Sequence, residues 1–321
     1  MPVLRFIPAL VLCAVARGAP KANRLSPAQV ARFDKDGYII IKGLVEGRAL
    51  EQAQRAAREG LYRHARRAPQ YRALDFGGWR NKHLRRISLD GAAPEMAAQL
   101  MGLRAEEPMR ALQDAAFALE AGDTSCGWHV DDKFFWPCRD SAPRDKRAGI
   151  NVWVTLSPVG TKDGCLALAP GSHDAPWREK CRRCIAAVPA AGFPRTCDLA
   201  ILSPACAKRC EAAWRTVSGA DFDMAPGDAI IHSRYVFHRG LPFSEGEPKL
   251  RYSVRYMPAE AVLVDFRGQS GSKLADKGAK HPQVWPRPLL AERLRIKCGL
   301  ADGASPVDRL VQRLKRTKAA K

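Results

Sequence analysis

Hydrophobic and polar positions along this chain follow two different periods. Near the N-terminal end the period is helical. Ser26-Pro27-Ala28-Gln29 reads as a helix start, with Ser26 as cap, Pro27 at the first helical position and Gln29 completing a capping box. Val30 and Phe33 supply a short apolar face, and Asp36-Gly37 closes the segment as a turn. From Arg48 to Leu61, residues Leu50, Ala53, Ala57 and Leu61 share one helical face, opposite Glu51, Arg55, Arg58 and Glu59. Pro94 to Met101 reads as a short helix. Residues 62–90 are basic and poorly patterned, with Gly77-Gly78 as a turn.

Elsewhere the pattern is that of short strands. Tyr38–Ile41 is rich in β-branched residues, and Met109–Leu119 reads as one or two strands around Gln113 and Asp114. Ile150–Leu156 is the clearest strand of all. Cys165–Ala169, Ala229–His232 and Leu250–Met257 follow, and Tyr235–His238 continues the β character. Turn signals separate them: Pro158 and Gly160, Pro170-Gly171-Ser172-His173, Met224–Asp228, and the loop 242–248. Residues 139–147 read as a charged loop. The stretch 174–217 has no period and reads as a cysteine-rich insertion; the tail beyond 265 is loop-like until Leu289–Lys297. Short strands preceded by helices predict a β-sandwich or jelly-roll with the helices packed outside. The mouth of a jelly-roll is a natural place for a metal site.

Length and composition narrow this only slightly. The 321 residues suit one large domain or two small ones, and 46% hydrophobic content suits a real core. The formal charge of +20 is spread along the chain, apart from a basic tail at Arg309–Lys321. No aromatic-basic module accompanies it, so nucleic acid is not an expected partner. Residues 1–18 carry Arg5, an apolar run from Phe6 to Ala16 and a small-x-small site at Ala14-Val15-Ala16. This predicts a signal peptide and a secretory or extracellular protein; a buried helix or a plastid-directing presequence are the alternatives. No other segment is a transmembrane candidate. Of the ten cysteines, Cys181, Cys184, Cys197, Cys206 and Cys210 crowd into the insertion. They suit disulfides in an oxidising compartment, or a zinc site built from Cys181, Cys184, Cys206 and Cys210.

The candidate chemistry lies in Gly127–Pro137. On a strand, His129 and Asp131 would project from one face, with Val130 opposite and Asp132 solvated. An imidazole and a carboxylate so placed are two-thirds of the facial triad that holds non-haem Fe(II). His238 and His232 lie later on apparent strands, and alternation does not choose between them because both have the same parity. Arg251 follows His238 by thirteen residues, with Arg255 on the same face. His64, His83 and His281 show no partner pattern and read as surface residues; His173 reads as structural, shaping the rim of the site.

Taken together, these motifs resemble the phytanoyl-CoA dioxygenase family of Fe(II)/2-oxoglutarate oxygenases over most of residues 25–265. The resemblance rests on Leu25–Phe33 with Asp36-Gly37-Tyr38, on Trp128-His129-Val130-Asp131 with Trp136-Pro137, on Trp153 with Asp163-Gly164-Cys165-Leu166 and Pro170-Gly171-Ser172-His173, and on Pro226-Gly227-Asp228, His232 and Phe237-His238-Arg239. It implies a double-stranded β-helix (jelly-roll, cupin-like) core with flanking helices over residues 24–270, and a C-terminal extension at 271–321. It implies His129, Asp131 and His238 as iron ligands, which assigns the distal position to His238 rather than His232. Arg251 is the implied anchor for 2-oxoglutarate, with Arg255 as the alternative and Trp153 beside the cosubstrate. The spacing from His238 to Arg251 is slightly longer than the family's, so loop 242–248 carries the extra length. The expected cofactors are Fe(II), 2-oxoglutarate and O2, with ascorbate as a candidate reductant. The expected reaction is hydroxylation of a small molecule with release of succinate and CO2; related halogenases lack the carboxylate that Asp131 provides. A non-catalytic secreted jelly-roll binding module and a peptidyl hydroxylase of the secretory pathway are the competing expectations.

Overall fold

The helix that starts at Ser26 forms as α1 (Pro27–Asp36) in the computed structural model, which describes residues 24–67, 71–75, 78–131, 149–160, 163–174, 223–264, 270–273 and 281–286. Its capping box is complete: Ser26 Oγ accepts from the Gln29 amide at 3.2 Å, and Gln29 Oε1 accepts from the Ser26 amide at 2.8 Å. Gly37 ends the helix with φ of 81°, a conformation that favours glycine. His173 packs over this glycine and its Nε2–H donates to the Asp34 carbonyl at 3.1 Å. His173 is therefore structural but serves the end of α1 rather than the rim of the site. Strand β1 (Tyr38–Ile41) follows, then α2 (Gly47–His64), which buries Ala53, Ala56, Ala57 and Leu61 along one face.

Residues 62–90, poorly patterned in sequence, hold more structure than that pattern suggests. They contain β2 (Arg66–Arg67), β3 (Arg72–Asp75), a 3-10 turn at Gly78–Arg80 and α3 (Lys82–Ser88). Helix α4 (Ala93–Leu100) precedes β4 (Met109–Leu119), a single strand bulged between Ala111 and Gln113. Then come β5 (Ile150–Thr155), β6 (Leu166–Leu168), β7 (Ala229–Ser233), β8 (His238–Gly240), β9 (Lys249–Pro258), β10 (Val262–Val264), β11 (Ser270–Lys273) and β12 (Gln283–Trp285).

The large antiparallel sheet runs β1-β7-β5-β9-β4-β3-β2, with β12 also on β4. Residues 283–285 thus join the core sheet, although 271–321 reads in sequence as an extension. His281, expected at the surface, is buried, and its Nδ1–H donates to the Leu112 carbonyl at 2.9 Å. A second sheet pairs β6 with β8. The architecture is the mainly β jelly-roll with flanking helices.

Alternation decides what each face of the large sheet does. Ile150, Val152 and Val154 of β5, Ala229 and Ile231 of β7, and Tyr252, Val254 and Tyr256 of β9 point to the helix side and form one core with α2, α3 and α4. Burying such a Val or Ile side chain contributes about 1.5–3 kcal/mol. Trp153 and Ile230 point the other way, into a second cluster with Trp128, Leu166, Leu168 and Phe237. A slip of one residue in β5 or β9 would exchange these faces, so the helix-side core also holds the cavity side chains in place. Asp228 pins the turn before β7: its Oδ1 accepts from the Gly43 amide at 2.8 Å, and its Oδ2 from Lys42 Nζ and the Ala225 amide, both at 2.9 Å.

The signal-peptide region, loop 139–147, the cysteine-rich stretch and the basic tail lie outside the described residues. No helix among the described residues is long and apolar enough to cross a membrane.

Candidate active site

His129 sits in a two-residue bridge rather than on a long strand. Its amide donates to the His238 carbonyl, and the His238 amide donates back to the His129 carbonyl, both at 2.9 Å. That exchange places the two rings with centroids 4.2 Å apart. Val130 turns into the second core, and Asp131 returns to the side of His129. The outcome is the one alternation predicts, although the chain here is irregular and only the bridge fixes it.

One ligating atom from each of His129, Asp131 and His238 lies within 4.8 Å of the others, and all three residues are buried. The hydrogen bonds prepare both imidazoles. His129 Nδ1–H donates to the Gly127 carbonyl at 2.6 Å, and His238 Nδ1–H donates to the Val236 carbonyl at 3.1 Å. A carbonyl can only accept, so the proton is on Nδ1 and each Nε2 presents a lone pair. Burial, and then the neighbouring His238, push His129 down to about 3; burial, and then His232, push His238 down to about 4. Both rings are neutral at pH 7. Burial alone would raise the Asp131 carboxyl, but the Arg255 guanidinium leads the opposing influences and holds it well below the usual carboxylate range. Two neutral nitrogens and one carboxylate are a donor set that fits Fe(II).

Asp131 is held at both oxygens. Asn151 Nδ2 donates to Oδ2 at 2.7 Å, and Arg255 Nη2 lies 3.5 Å from Oδ1. Ser253 Oγ–H donates to Asn151 Oδ1 at 2.6 Å, which orients the amide. Asn151, Ser253 and Gln113, which also faces the cavity, have no counterpart in the sequence reading. A signal was available. Asn151 is two residues before Trp153 and stands alone as a polar residue within Ile150–Val154, and Ser253 lies between the two arginines on their face.

The structure separates the two arginines. Arg255 pairs with Asp131. Arg251 lies over Trp153, with its guanidinium carbon 5.3 Å from the ring centroid, and Nη2 donates to the Gly164 carbonyl. Arg251 Nε has no hydrogen-bond partner among the described residues. Burial lowers Arg251 to about 10, so it remains a cation at neutral pH. Gly164 makes room for it: a Cβ there would come within 2.6 Å of Arg251 Nη2.

His232 and His238 belong to different sheets, because Arg234–Val236 form a turn between β7 and β8. Their equal parity in sequence therefore has no bearing on which of them joins the cluster. His238 does; His232 stands beside it, with ring centroids 4.6 Å apart. All of these residues line one cavity, together with Tyr71, Phe117, Leu119 and Leu166. It holds about 720 Å3 of open space, mouth included. The arrangement can bind a divalent metal among buried ligands and hold a carboxylate at Arg251.

The phytanoyl-CoA dioxygenase (PhyH) family model matches residues 33–246. Solved structures share the fold. The non-heme alpha ketoglutarate dependent carbocyclase SnoK from nogalamycin biosynthesis is 20% identical, with a TM-score of 0.63 over 82% of this chain and 98% of that one. The epimerase SnoN from the same biosynthesis is 21% identical, with a TM-score of 0.61 over 82% and 96%. EctD from S. alaskensis, solved with 2-oxoglutarate and 5-hydroxyectoine, is 17% identical, with a TM-score of 0.56 over 74% and 78%. No individually curated protein matches the chain.

Proposed function

The chain belongs to the phytanoyl-CoA dioxygenase family of 2-oxoglutarate-dependent oxygenases, and we propose that it hydroxylates a small organic molecule at the cavity of His129, Asp131 and His238. The observation that carries this reading is the buried cluster itself, with both Nε2 lone pairs and a fixed carboxylate converging within 4.8 Å. Iron(II) bound there supplies, with 2-oxoglutarate and O2, the oxidising chemistry by which one oxygen atom enters the substrate and the other leaves in succinate, with release of CO2. Ascorbate would keep the iron reduced.

The protein's own contribution is placement and exclusion. The Gly127 and Val236 carbonyls fix the imidazole tautomers. Asn151 and Arg255 hold the carboxylate. Arg251 is the anchor for the far carboxylate of 2-oxoglutarate: a buried guanidinium with an available N–H offers charge-assisted hydrogen bonds. Trp153 supports that guanidinium and forms the apolar wall beside it. Asp131 favours hydroxylation over halogenation because it fills the position that a halide would need.

Fe(II)- and O2-dependent release of succinate from 2-oxoglutarate tests the reading. His129→Ala should lower release at least a hundredfold and weaken Fe(II) binding. Release that persists in this variant, or that needs no iron, would overturn it.

We also propose that the chain enters the secretory pathway. The apolar run Phe6–Ala16 and its small-x-small site support this. N-terminal sequencing of the exported protein should find residues 1–18 removed; an intact N-terminus would refute it.

A further inference from the structure

The cavity floor carries a cross-strand row of four polar side chains. His232 on β7 is opposite Asn151 on β5, Asn151 is opposite Arg255 on β9, and Arg255 is opposite Gln113 on β4. All four line the cavity. The middle pair holds Asp131. The ends of the row have no such task.

His232 is the more telling end. It is fully buried, and its Nδ1–H donates to the Ser233 carbonyl at 3.0 Å. A neutral imidazole has one N–H, so Nε2 carries a bare lone pair, on a residue that lines the cavity. It has no hydrogen-bond partner among the described residues. Ring contact with His238 does not explain a histidine here. Phenylalanine would make the same contact and leave no buried acceptor without a protein partner. The atom is satisfied only when a donor enters the cavity. 2-Oxoglutarate at neutral pH carries acceptors alone, as do O2, CO2 and succinate, so among the reaction's organic components only the substrate can bring that donor, and water is its one competitor.

We propose that His232 reads the organic substrate, accepting at Nε2 a hydrogen bond from a hydroxyl or ammonium group. The substrate class is then a small polar molecule with such a donor beside the carbon it presents for oxidation, rather than a plain hydrocarbon chain. Gln113, at the other end of the row, contacts its polar remainder. This rests on the hydroxylase reading above and gives it a substrate class.

The test uses the full chain labelled with 15N-histidine and loaded with Zn(II) and 2-oxoglutarate. The probes are glycerol, cis-1,2-cyclohexanediol and ethanolamine, each beside its fully methylated counterpart. Long-range 1H–15N spectra should show His232 protonated at Nδ1 and bare at Nε2. At least one donor probe should then shift Nε2 while its methylated counterpart does not. His232→Phe should weaken binding of that probe at least tenfold, and His232→Gln, which keeps an acceptor, should restore it to within threefold. The proposal is overturned if Nε2 is protonated or water-bonded from the start, if no donor probe shifts it, if the methylated probes act equally, or if the phenylalanine variant binds as wild type. The His129 and His238 signals report Zn(II) binding in the same spectra, so failure of the metal site is seen separately.

Discussion

Asn151 and Arg255 keep the Asp131 carboxylate aimed, and Arg255 keeps it ionised against the effect of burial. Asp131→Gly should abolish hydroxylation while the protein still folds, read as product formation beside a retained circular dichroism spectrum. A variant that hydroxylates normally would remove Asp131 from the ligand set. The two arginines separate in the same way. Arg251→Met should raise KM for 2-oxoglutarate more than tenfold with metal affinity unchanged. Arg255→Met should instead weaken Fe(II) binding about 10–100-fold, as loss of a ligand's outer partner does, with KM for 2-oxoglutarate moving less than threefold. The opposite pattern would exchange the two assignments. Acid adds a further check. His129 and His238 have folded values of about 3 and 4, below the ordinary histidine value of 6.5. The unfolded chain therefore binds more protons between pH 6.5 and 4, and metal-free stability must fall as pH falls through that range. Metal affinity, by contrast, should hold down to about pH 5, because protons compete for Nε2 only near the folded values. Thermal melts and Co(II) titrations across pH 4–7 read the two effects separately.

At the scale of elements, the cavity depends on strands whose opposite faces are anchored elsewhere. Ile231→Ala on β7 removes helix-side packing one residue before His232. It should cost about 2–5 kcal/mol in urea denaturation, as buried Ile-to-Ala changes do, and loosen the site only through the strand. The clearest strands and the first helices were legible from local residue type and period: β1 and β5 by their β-branched residues, α1 by its capping box and α2 by its apolar face. Other elements were not. β2 and β3 are short and carry no apolar period; β3 exists because β4 offers it an edge, and β2 pairs in turn with β3. β12 likewise borrows its order from β4. The turn at Arg234–Val236 is hidden inside a run that reads as continuous strand. Its consequence is large, because it sends His238 to the opposite sheet and makes the bridge to His129 possible.

For the whole molecule, metal binding should be a stability term. A ligand that binds the folded state alone raises its stability by mass action, so Co(II) or Fe(II) should raise Tm by several degrees and EDTA should reverse the rise. His129→Ala should abolish the effect; a rise that survives in that variant would place the metal elsewhere. The surface charge of +20 plays no part in this, and raising salt should leave the metal-induced shift nearly intact, since buried pairs are weakly screened. By itself the sequence determined the class of fold, the shared face of His129 and Asp131 and the shared face of Arg251 and Arg255, because residue type, spacing and strand period are local properties. Tertiary structure decided which arginine faces the carboxylate ligand, that Asn151, Ser253 and Gln113 belong to the site, and that His232 is left with a bare acceptor. Those outcomes depend on register between strands distant in sequence, and no local period encodes it.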